Sequence, residues 1–388
     1  MSDGHVTRDA DEWAEAFQRL AAPGGVQSPY EALSSLQGTL SGQHRSAEVV
    51  LRDRRFGRHL DVPDRPMWRM FRRWMFNRPP EAHAAMRFLI TKRFTRQAVE
   101  AQRGPVEAEV ETLLDELEPL RQMDLKHDFA YRLPLNVIAR LMGIAEELPR
   151  LRGHLEELTY GFIHQATEEG LARGDAAATA LMAFFDEVLR ERRLAPGDDL
   201  LSQLAADDDD ASALEWDDLV ANAVLLVDAG HGTTMNLITN GMLLLLQHPE
   251  QLELLKAEPG RIPLAVEEML RLESPIQITE RLALEDVEIG GEPISRGTLI
   301  DLPLGLINRD PSVFEDPGRF DVTRTPNRHL AFTIGAHHCL GAGLARLEAA
   351  TAFAALLRRL DQPRLVEEPT WIGVFPFRTL NSLEIAWA

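Results

Sequence analysis

The sequence is poor in cysteine and in basic residues, and each shortage excludes a class of protein. One cysteine among 388 residues excludes an intramolecular disulfide framework, so a reducing cytoplasm is the expected location. It also excludes zinc and iron–sulfur sites that need several cysteines. The 41 basic residues are outnumbered by 61 acidic ones, which gives a formal charge of -20. This charge disfavours binding to nucleic acid and to anionic membranes.

The sequence shows no pattern for targeting or for membrane insertion. The N-terminus, Met1-Ser-Asp-Gly-His, lacks the basic and then apolar pattern of a signal peptide. No apolar run approaches the roughly 20 residues that a transmembrane helix needs. Residues 1–388 are expected to form a single domain, because no linker rich in glycine or serine interrupts them. Within it, the polar residues 1–27 are expected to be a variable N-terminal segment.

Only three tyrosines and few strand-like alternations predict a mainly α fold with a small β region. The longest predicted helix follows Trp216-Asp217-Asp218, whose acids are expected to cap it, and runs to about Gln247, just before Pro249. It is apolar nearly all round near both ends, so it is expected to cross the interior. Two glycines at its centre indicate a place where another molecule comes close. Other helices are predicted over 81–94, 106–118, 133–141, 151–170 and 176–193, strands over 277–284, 287–294 and 298–303, and a final hairpin over 370–387.

The single cysteine lies in a glycine-punctuated loop directly before a strongly helical segment. The loop reads Phe332-Thr-Ile-Gly-Ala-His-His-Cys-Leu-Gly341. Free N–H groups and the partial positive charge at a helix N-terminus favour a thiolate at Cys339. Such a thiolate can be the sole protein ligand of haem iron, or a nucleophile with a histidine partner. An inert, small apolar residue is the third interpretation.

From about residue 47 to the C-terminus, several motifs resemble those of bacterial cytochrome P450 proteins in order and spacing. Glu268 and Arg271 match the family's Glu-x-x-Arg, and Arg324 resembles the residue that completes their triad. Residues 129–134 and 307–311 match as well. The resemblance implies the family's fold, a triangular and mostly helical domain with a smaller strand region. The cysteine loop is similar to the family pattern Phe-Gly-x-Gly-x-His-x-Cys-x-Gly at Phe332, Gly335, His337, Cys339 and Gly341.

The resemblance implies haem b as the cofactor, with the Cys339 thiolate as the axial ligand of its iron. Phe332 would pack on the same side of the haem as the cysteine. The haem propionates need cationic or N–H partners, and basic residues occupy the matching positions. The implied haem-binding residues are His83, Arg87, Ala229, Gly230, Arg281, Phe332, His337, Cys339 and Gly341.

Two positions depart from the family pattern. Thr333 replaces a glycine of the cysteine loop, and its β-carbon disfavours a positive φ. Gly232 replaces the acid of the pattern Ala-Gly-x-Asp/Glu-Thr-Thr, which reads Ala229-Gly-His-Gly-Thr-Thr234 here. In the family, this acid and the alcohol at Thr233 pass protons to dioxygen. The change removes a proton donor or water anchor, unless ordered water and Thr233 suffice.

Asp228 and His231 join Thr233 as candidate catalytic residues because they lie beside the missing acid. Asp228 precedes Gly232 by four residues, about 40° away around the helix and one turn back. The family usually has an apolar residue there, facing the pocket above the iron. A carboxylate at this position is expected to bind a substrate amine or hydroxyl, or to replace the proton relay. An acid satisfied by solvent or backbone is the alternative, and His231 could reach polar groups nearby.

The resemblance implies an oxygen-dependent monooxygenase that acts on a small natural-product-like molecule in secondary metabolism. It implies a monomer that takes electrons from a separate ferredoxin and ferredoxin reductase, since no flavin or iron–sulfur segment is fused to the chain. Basic residues that are candidates for docking such a partner are Arg72, Arg73, Lys92, Arg328 and Arg346.

Three alternatives remain open at this point. Because Gly232 replaces the acid, the enzyme could use peroxide, or perform group transfer, coupling or rearrangement on a substrate that is already oxidised. A haem protein that only senses or binds is the second alternative. A cysteine hydrolase is the third, although no supporting pattern surrounds Cys339.

Overall fold

The computed structural model describes residues 43–58, 62–163, 167–206, 214–374 and 376–388. The predicted N-terminal segment 1–27 lies outside these residues. The described residues form two compact units, of which the first comprises 43–57, 106–133 and 233–388. The second comprises 58–105 and 134–232. That the chain forms a single domain stays a prediction.

Helices dominate the described residues, which confirms the predicted mainly α fold. No helix in the described ranges is long and apolar enough to cross a membrane. In chain order the helices are α1 (His44–Arg52), α2 (Pro66–Arg73), α3 (Pro80–Thr91), α4 (Arg96–Ala101), α5 (Arg103–Leu117), α6 (Arg132–Met142), α7 (Leu148–Ile163), α8 (Glu168–Leu194), α9 (Leu200–Ala205), α10 (Trp216–Gln247), α11 (Pro249–Ala257), α12 (Ile262–Leu272), α13 (Leu304–Ile307) and α14 (Ala342–Arg359).

Helix α10 ends at the predicted residue, Gln247, but it begins at Trp216 and so includes the residues that were predicted to precede it. It is 32 residues long, or about 48 Å at 1.5 Å per residue. Two acids in its first turn, Asp217 and Asp218, favour its N-terminus. Asp218 also accepts a hydrogen bond from the Glu215 N–H at 3.1 Å. The residues from Val220 to Val227 are buried, which explains why this stretch is apolar nearly all round.

The predicted helices over 151–170 and 176–193 have the wrong boundary between them. Helix α8 begins directly after Thr167, not near residue 176. The Thr167 hydroxyl accepts a hydrogen bond from the Gly170 N–H at 3.0 Å and so caps the helix. Gly170 and Gly174 therefore belong to α8, where the sequence suggested a break.

The two glycines Gly161 and Gly174 let α7 and α8 cross closely. A Cβ at Gly161 would lie 2.5 Å from the Cα of Gly174, and a Cβ at Gly174 would lie 2.5 Å from the Met67 sulfur. Asp175 accepts hydrogen bonds from the Met67 N–H at 3.0 Å and from Arg65 Nε at 2.7 Å. Helix α2 is therefore held against α8 by both packing and charge.

The strands form small antiparallel sheets, and the predicted strands are confirmed with shorter bounds. Among the described residues, the strands are β1 (Phe56–Gly57), β2 (Gln122–Asp124), β3 (Thr279–Ala283), β4 (Val287–Ile289), β5 (Glu292–Ile294), β6 (Leu299–Leu302), β7 (Arg364–Leu365), β8 (Trp371–Val374), β9 (Phe377–Leu380) and β10 (Glu384–Ala386). They form two three-stranded sheets with the orders β1-β3-β6 and β2-β10-β7, and the hairpins β4-β5 and β8-β9. The predicted final hairpin is β8-β9, whereas β10 pairs with β2 and β7.

Two carboxyl groups oppose each other where β3 pairs with β6, because Glu280 is the register partner of Asp301. Burial raises the pKa of Asp301 to about 6, and the charge of Glu280 adds to this effect. The fold favours the protonated form of Asp301, because its folded-state pKa is raised. The free energy of unfolding is therefore highest below the ordinary pKa of 3.8, and this stability is lost as the pH rises through about 6. Asp301→Asn should therefore raise the free energy of unfolding by about 1 kcal/mol at neutral pH, after discounting for solvent.

Urea unfolding at neutral pH and again below the ordinary aspartate pKa measures this effect. Glu288→Gln on the exposed side of β4 is the control, and it should change little at either pH. A gain for Asp301→Asn that is equally large in acid would contradict the electrostatic cause.

Candidate functional site

The cysteine loop presents the only thiol of the chain, Cys339, in an exposed position. The Cys339 N–H donates to the Phe332 carbonyl at 2.9 Å, and the His338 N–H donates to the Gly335 carbonyl at 3.1 Å. Helix α14 begins at Ala342 with Gly341 at its N-cap. The predicted arrangement, a thiol beside a helix N-terminus, is therefore observed, and it favours the thiolate.

Gly335 is required by the backbone of this loop. Its φ is +77°, in the left-handed region that favours glycine. A Cβ at this position would collide with the Leu51 carbonyl oxygen at the end of α1. Helix α1 itself packs through Val50 and Leu51 in a core that includes Ala283 and Leu302 of the first sheet. The sheet and α1 thus fix the position of the loop.

Thr333 has a positive φ of 54°, a conformation that is strained for a β-branched residue. The glycine that the family has at this position would adopt it without strain. Thr333 gains one compensating contact, because its hydroxyl donates to the His337 carbonyl at 2.9 Å. The departure that the sequence showed is therefore tolerated through a hydrogen bond inside the loop.

Two substitutions at Thr333 should separate the strain from the hydrogen bond. Thr333→Val keeps the strain and loses the hydroxyl, so we expect it to lower the free energy of unfolding by about 1 kcal/mol. Thr333→Gly loses the hydroxyl but relieves about 1–2 kcal/mol of strain, so we expect it to be at least as stable as the natural protein. Urea unfolding of the three proteins provides the comparison, and a valine variant as stable as the glycine variant would refute this explanation.

A network of charged side chains holds Phe332 in place. The Arg346 guanidinium lies 4.5 Å from the centre of the Phe332 ring. Arg346 also donates to both carboxylate oxygens of Glu267, at 2.6 and 2.9 Å. His329 Nε2 lies 3.0 Å from the same carboxylate, and His329 Nδ1 accepts from the Ala331 N–H at 3.2 Å. The imidazole is thereby fixed with its proton on Nε2.

The Glu267 carboxylate is held in its charged form. Burial would raise the pKa of Glu267, but hydrogen bonds from Arg346 and His329 outweigh it and lower the pKa to about 2. Glu267 and His329 were not among the site residues predicted from the sequence, and Arg346 was predicted only as a candidate for docking a partner. The available signals were the position of Glu267 directly before Glu268 and that of His329 three residues before Phe332.

The predicted triad of Glu268, Arg271 and Arg324 is confirmed. Arg271 donates to both Glu268 oxygens at 2.7 Å, and Arg324 Nε donates to Glu268 at 3.0 Å. Arg271 also donates to the carbonyls of Asn308 and Pro317 at 3.0 and 2.7 Å. Glu268 and Arg271 are both 0 % exposed. The triad therefore joins α12 to the irregular segment that precedes the cysteine loop.

The four predicted propionate partners belong to different units. In the first unit, Arg281 on β3 is buried and donates to the Thr279 hydroxyl at 3.2 Å and the Glu280 carbonyl at 2.7 Å, both neutral acceptors. His337 is half-buried in the cysteine loop. In the second unit, His83 is buried and Arg87 is half-buried, four residues apart on α3 and hence on one face.

The centre of α10 contains two glycines that differ in their surroundings. A Cβ at Gly230 would lie 2.9 Å from the Ile138 side chain on α6, so this glycine permits close helix packing. A Cβ at Gly232 would meet no atom within 4 Å. Ala229 is exposed, although α10 is buried from Val220 to Val227. Packing around the Cβ position therefore does not require a glycine at 232.

Burial shifts the pKa values of Asp228 and His231 on α10 in the directions that favour their uncharged forms. Burial raises the pKa of Asp228 to about 7, yet part of its surface remains accessible. Burial lowers the pKa of His231, although hydrogen bonds with the backbone of Val227 and Asp228 oppose this. Its Nδ1 lies 3.1 Å from the Val227 carbonyl. His231 is therefore a neutral imidazole with its proton on Nδ1.

The candidate docking residues are largely engaged within their own units. Arg72 forms an ion pair with Asp64 at 3.0 Å, and Arg73 with Asp218 at 2.9 Å. With Arg346 bound to Glu267, Lys92 and Arg328 are the members that lie on exposed surface without such an ion pair among the described contacts.

The residues of each unit fit a haem-thiolate site. In the described ranges, no cluster of His, Cys, Asp and Glu could hold a metal ion. A single thiolate can be the sole protein ligand of haem iron, because the macrocycle supplies the other ligands. Cys339 is exposed for such ligation, and the Phe332 ring of the same loop is contacted by Arg346. Ala229 offers an exposed methyl group on an otherwise buried stretch of helix.

Comparison with known proteins agrees with this chemistry. The family model described as Cytochrome P450 matches residues 161–368. The biotin biosynthesis cytochrome P450 of Bacillus subtilis (strain 168) is 38% identical over 315 residues, which cover 81% of this chain and 79% of that protein. The 6-deoxyerythronolide B hydroxylase of Saccharopolyspora erythraea is 41% identical over 310 residues, covering 79% and 76%. The crystal structure of P450BioI in complex with acyl carrier protein ligated to hexadec-9Z-enoic acid superposes with a TM-score of 0.86 at 34% identity, covering 92% of this chain and 97% of that one.

Proposed function

The chain belongs to the cytochrome P450 family, and on this premise we propose that it oxidises a small natural-product-like molecule of secondary metabolism with electrons from a separate ferredoxin and ferredoxin reductase. Membership makes it a haem-thiolate monooxygenase, as the resemblance implied. The names of two relatives, which refer to biotin biosynthesis and to 6-deoxyerythronolide B hydroxylation, support a biosynthetic role. The observation that carries the proposal is the exposed Cys339 thiol in its fixed loop.

Haem b is the cofactor, and the Cys339 thiolate would hold its iron, because the family uses a cysteine for this purpose and the chain has one. The bound haem supplies the oxidising power for inserting oxygen into a substrate. We propose that Phe332 keeps water and polar groups away from the sulfur, since Arg346 and Glu267 hold its ring. Gly341 leaves the N-terminal N–H groups of α14 accessible beside the thiolate.

The propionate partners that we propose are cations or N–H donors. Arg281 is 1 % exposed, and the proposed contact is a charge-assisted hydrogen bond from its guanidinium to a propionate. His83, Arg87 and His337 are the further proposed donors. Ala229 and Gly230 are proposed to serve the site through their small size, Ala229 by its exposed face and Gly230 by the packing of α10 on Ile138.

For the catalytic residues we propose distinct roles. The Thr233 hydroxyl donates and accepts protons, and it anchors water that replaces the acid missing at Gly232. His231 stays neutral because burial lowers its pKa, so it acts as a hydrogen-bonding group. Asp228 is a carboxyl group that changes charge near pH 7, and it contacts the substrate.

A second candidate function is favoured by one observation, the open space at Gly232. Since a side chain would fit there, the loss of the acid points to chemistry with less need for delivered protons. Peroxide-driven oxidation, or group transfer, coupling or rearrangement of a substrate that is already oxidised, meets this condition. The reducing cytoplasm remains the proposed location because the ligating thiol must stay unoxidised, and a monomeric state stays a prediction.

One experiment distinguishes the two candidates. Purified haem-loaded protein is first titrated with biosynthetic intermediates, and ligands that shift the haem spectrum are then tested for turnover. We expect product with reduced ferredoxin, its reductase and dioxygen. Product with peroxide alone, or with a pre-oxidised substrate and no reductant, supports the second candidate. Absence of a thiolate-type carbon monoxide spectrum would overturn both.

The variant Gly232→Asp sharpens this test. If proton delivery limits the reaction with dioxygen, the acid should increase product formed per electron consumed and leave peroxide-driven turnover unchanged. Gly153→Asp on α7 is the matched control, because a Cβ there also meets no atom within 4 Å and the position is exposed.

A further inference from the structure

Asp228 is an acid that the protein itself does not satisfy. In the described part of the chain, no hydrogen bond or ion pair reaches its carboxyl group, and burial alone accounts for its raised pKa. Glu348 on α14 is a second enclosed acid with a raised pKa, but it is only 1 % exposed and lies in the core. Asp228 differs because part of its surface is accessible. Its carboxyl group therefore borders space that a ligand can enter.

The surroundings of Asp228 on α10 support this interpretation. Val227 is 0 % exposed, whereas Ala229, one position beyond Asp228, is exposed. One turn further along, a Cβ at Gly232 would meet no atom within 4 Å. Residues 228, 229 and 232 thus mark a stretch of α10 that borders open space, and Asp228 is its only ionisable member.

A cluster of five aromatic rings lies in the same unit as Asp228. Neighbouring rings have their centres 4.8–5.9 Å apart. Phe71, Phe76 and Phe162 retain partly accessible surface, so their faces can contact a ligand. The cluster consists of Trp68, Phe71, Trp74, Phe76 and Phe162.

Asn222 ties this aromatic cluster to α10. Its side chain accepts from the Met75 N–H at 2.7 Å and donates to the Arg73 carbonyl at 2.9 Å. Asn222 precedes Asp228 by six residues, or about 9 Å along the helix axis. Arg73 pairs with Glu215 and Asp218, both at 2.9 Å, and Arg78 pairs with Asp218 at 3.2 Å. The Arg58 guanidinium lies 4.8 Å from the centre of the Phe76 ring, so a cation of the protein already contacts one ring of the cluster. None of these arginines is a cause of the pKa shift of Asp228, which burial alone produces.

We propose that the substrate is an organic cation, whose ammonium group binds Asp228 and whose apolar body lies against the aromatic cluster. The inference rests on the proposed function, because it names the substrate class of that site. An ammonium group neutralises an enclosed carboxylate, whereas a hydroxyl leaves its charge in place. Aromatic faces also attract cations and apolar groups alike. An enclosed acid that lowers the stability of the ligand-free protein is typical of a binding site.

The test uses two probes of equal shape and different charge. Phenethyltrimethylammonium is a cation whose quaternary nitrogen cannot ligate iron, and in its neutral isostere a tert-butyl group replaces the trimethylammonium group. Binding to the haem-loaded protein is measured by calorimetry at a pH above the pKa of Asp228. We expect the natural protein to bind the cation at least about tenfold more tightly than the isostere. Asp228→Asn should remove this preference and leave binding of the isostere within about twofold.

Asp217→Asn is the control, since it makes the same change at an exposed position of α10 and should keep the preference. Asp228→Asn should melt at or above the temperature of the natural protein, because it removes an enclosed charge, so folding does not confound the result. Equal binding of the cation to the natural protein and to Asp228→Asn would overturn the inference. Equal binding with lost turnover would also overturn it, in favour of a proton-relay role. A missing thiolate spectrum in the natural protein would instead overturn the proposed function.

Discussion

Replacement of Cys339 by serine is expected to abolish the thiolate-type carbon monoxide spectrum and to lower monooxygenation by at least about three orders of magnitude, or about 4 kcal/mol of barrier. The thiolate donates electron density to the iron, and a serine hydroxyl does so far less well. No other cysteine exists in the chain to take its place. Absorption spectroscopy of the reduced protein and a turnover assay measure the two effects.

Ala336→Ser in the same loop is the control for this prediction. Ala336 is exposed, so its substitution should leave both the spectrum and the turnover near the natural level. A thiolate spectrum that persists in Cys339→Ser would show that the iron is held in another way. Loss of the spectrum in both variants would show that the loop tolerates no change, and the ligand assignment would then lose its support.

Glu268→Ala is expected to lower the free energy of unfolding by about 3–5 kcal/mol and to leave little haem-loaded protein. The substitution strands the Arg271 guanidinium, which is 0 % exposed and donates to Glu268 twice at 2.7 Å. It also removes the acceptor of Arg324 and of Asn327, both at 3.0 Å. The segment before the cysteine loop would therefore lose its attachment to α12.

Urea unfolding and the ratio of haem to protein measure this second effect. Glu253→Ala on α11 is the control, because Glu253 is 70% exposed and should change stability by less than about 0.5 kcal/mol. Glu268→Gln keeps the shape and one acceptor oxygen, so it should lie between the natural protein and the alanine variant. Normal stability of Glu268→Ala would mean that the triad does not carry the loop.

The parts of the site that could be predicted are those whose spacing is local or family-wide. Cys339 lies in a loop whose glycines and following helix are contiguous in sequence, so geometry and chemistry could be inferred together. Glu268 and Arg271 are three residues apart on a helix, which places them side by side. Arg324 lies far away in sequence, and only the resemblance indicated it as their partner.

The parts that could not be predicted depend on contacts between distant segments. His329 and Arg346 meet at Glu267, 62 and 79 residues away, and no motif spacing records such a meeting. Phe162 lies on α7, next to Gly161, and it contributes a ring to the aromatic cluster. Gly161 and Gly174 allow α7 and α8 to cross closely, and no spacing in the sequence predicts that crossing. The start of α8 was misplaced for the same reason, since glycines indicate a break in sequence and a close packing contact in three dimensions.

Because the chain has a single thiol, modification of that thiol can measure the haem content of a preparation. A thiol-selective reagent can modify one group per molecule, the Cys339 thiol, and thiolate ligation to iron would block that reaction. The mass shift of the intact chain therefore divides a preparation into labelled and protected molecules. The protected fraction equals the fraction loaded with haem, and following it over time yields the rate at which the cofactor dissociates.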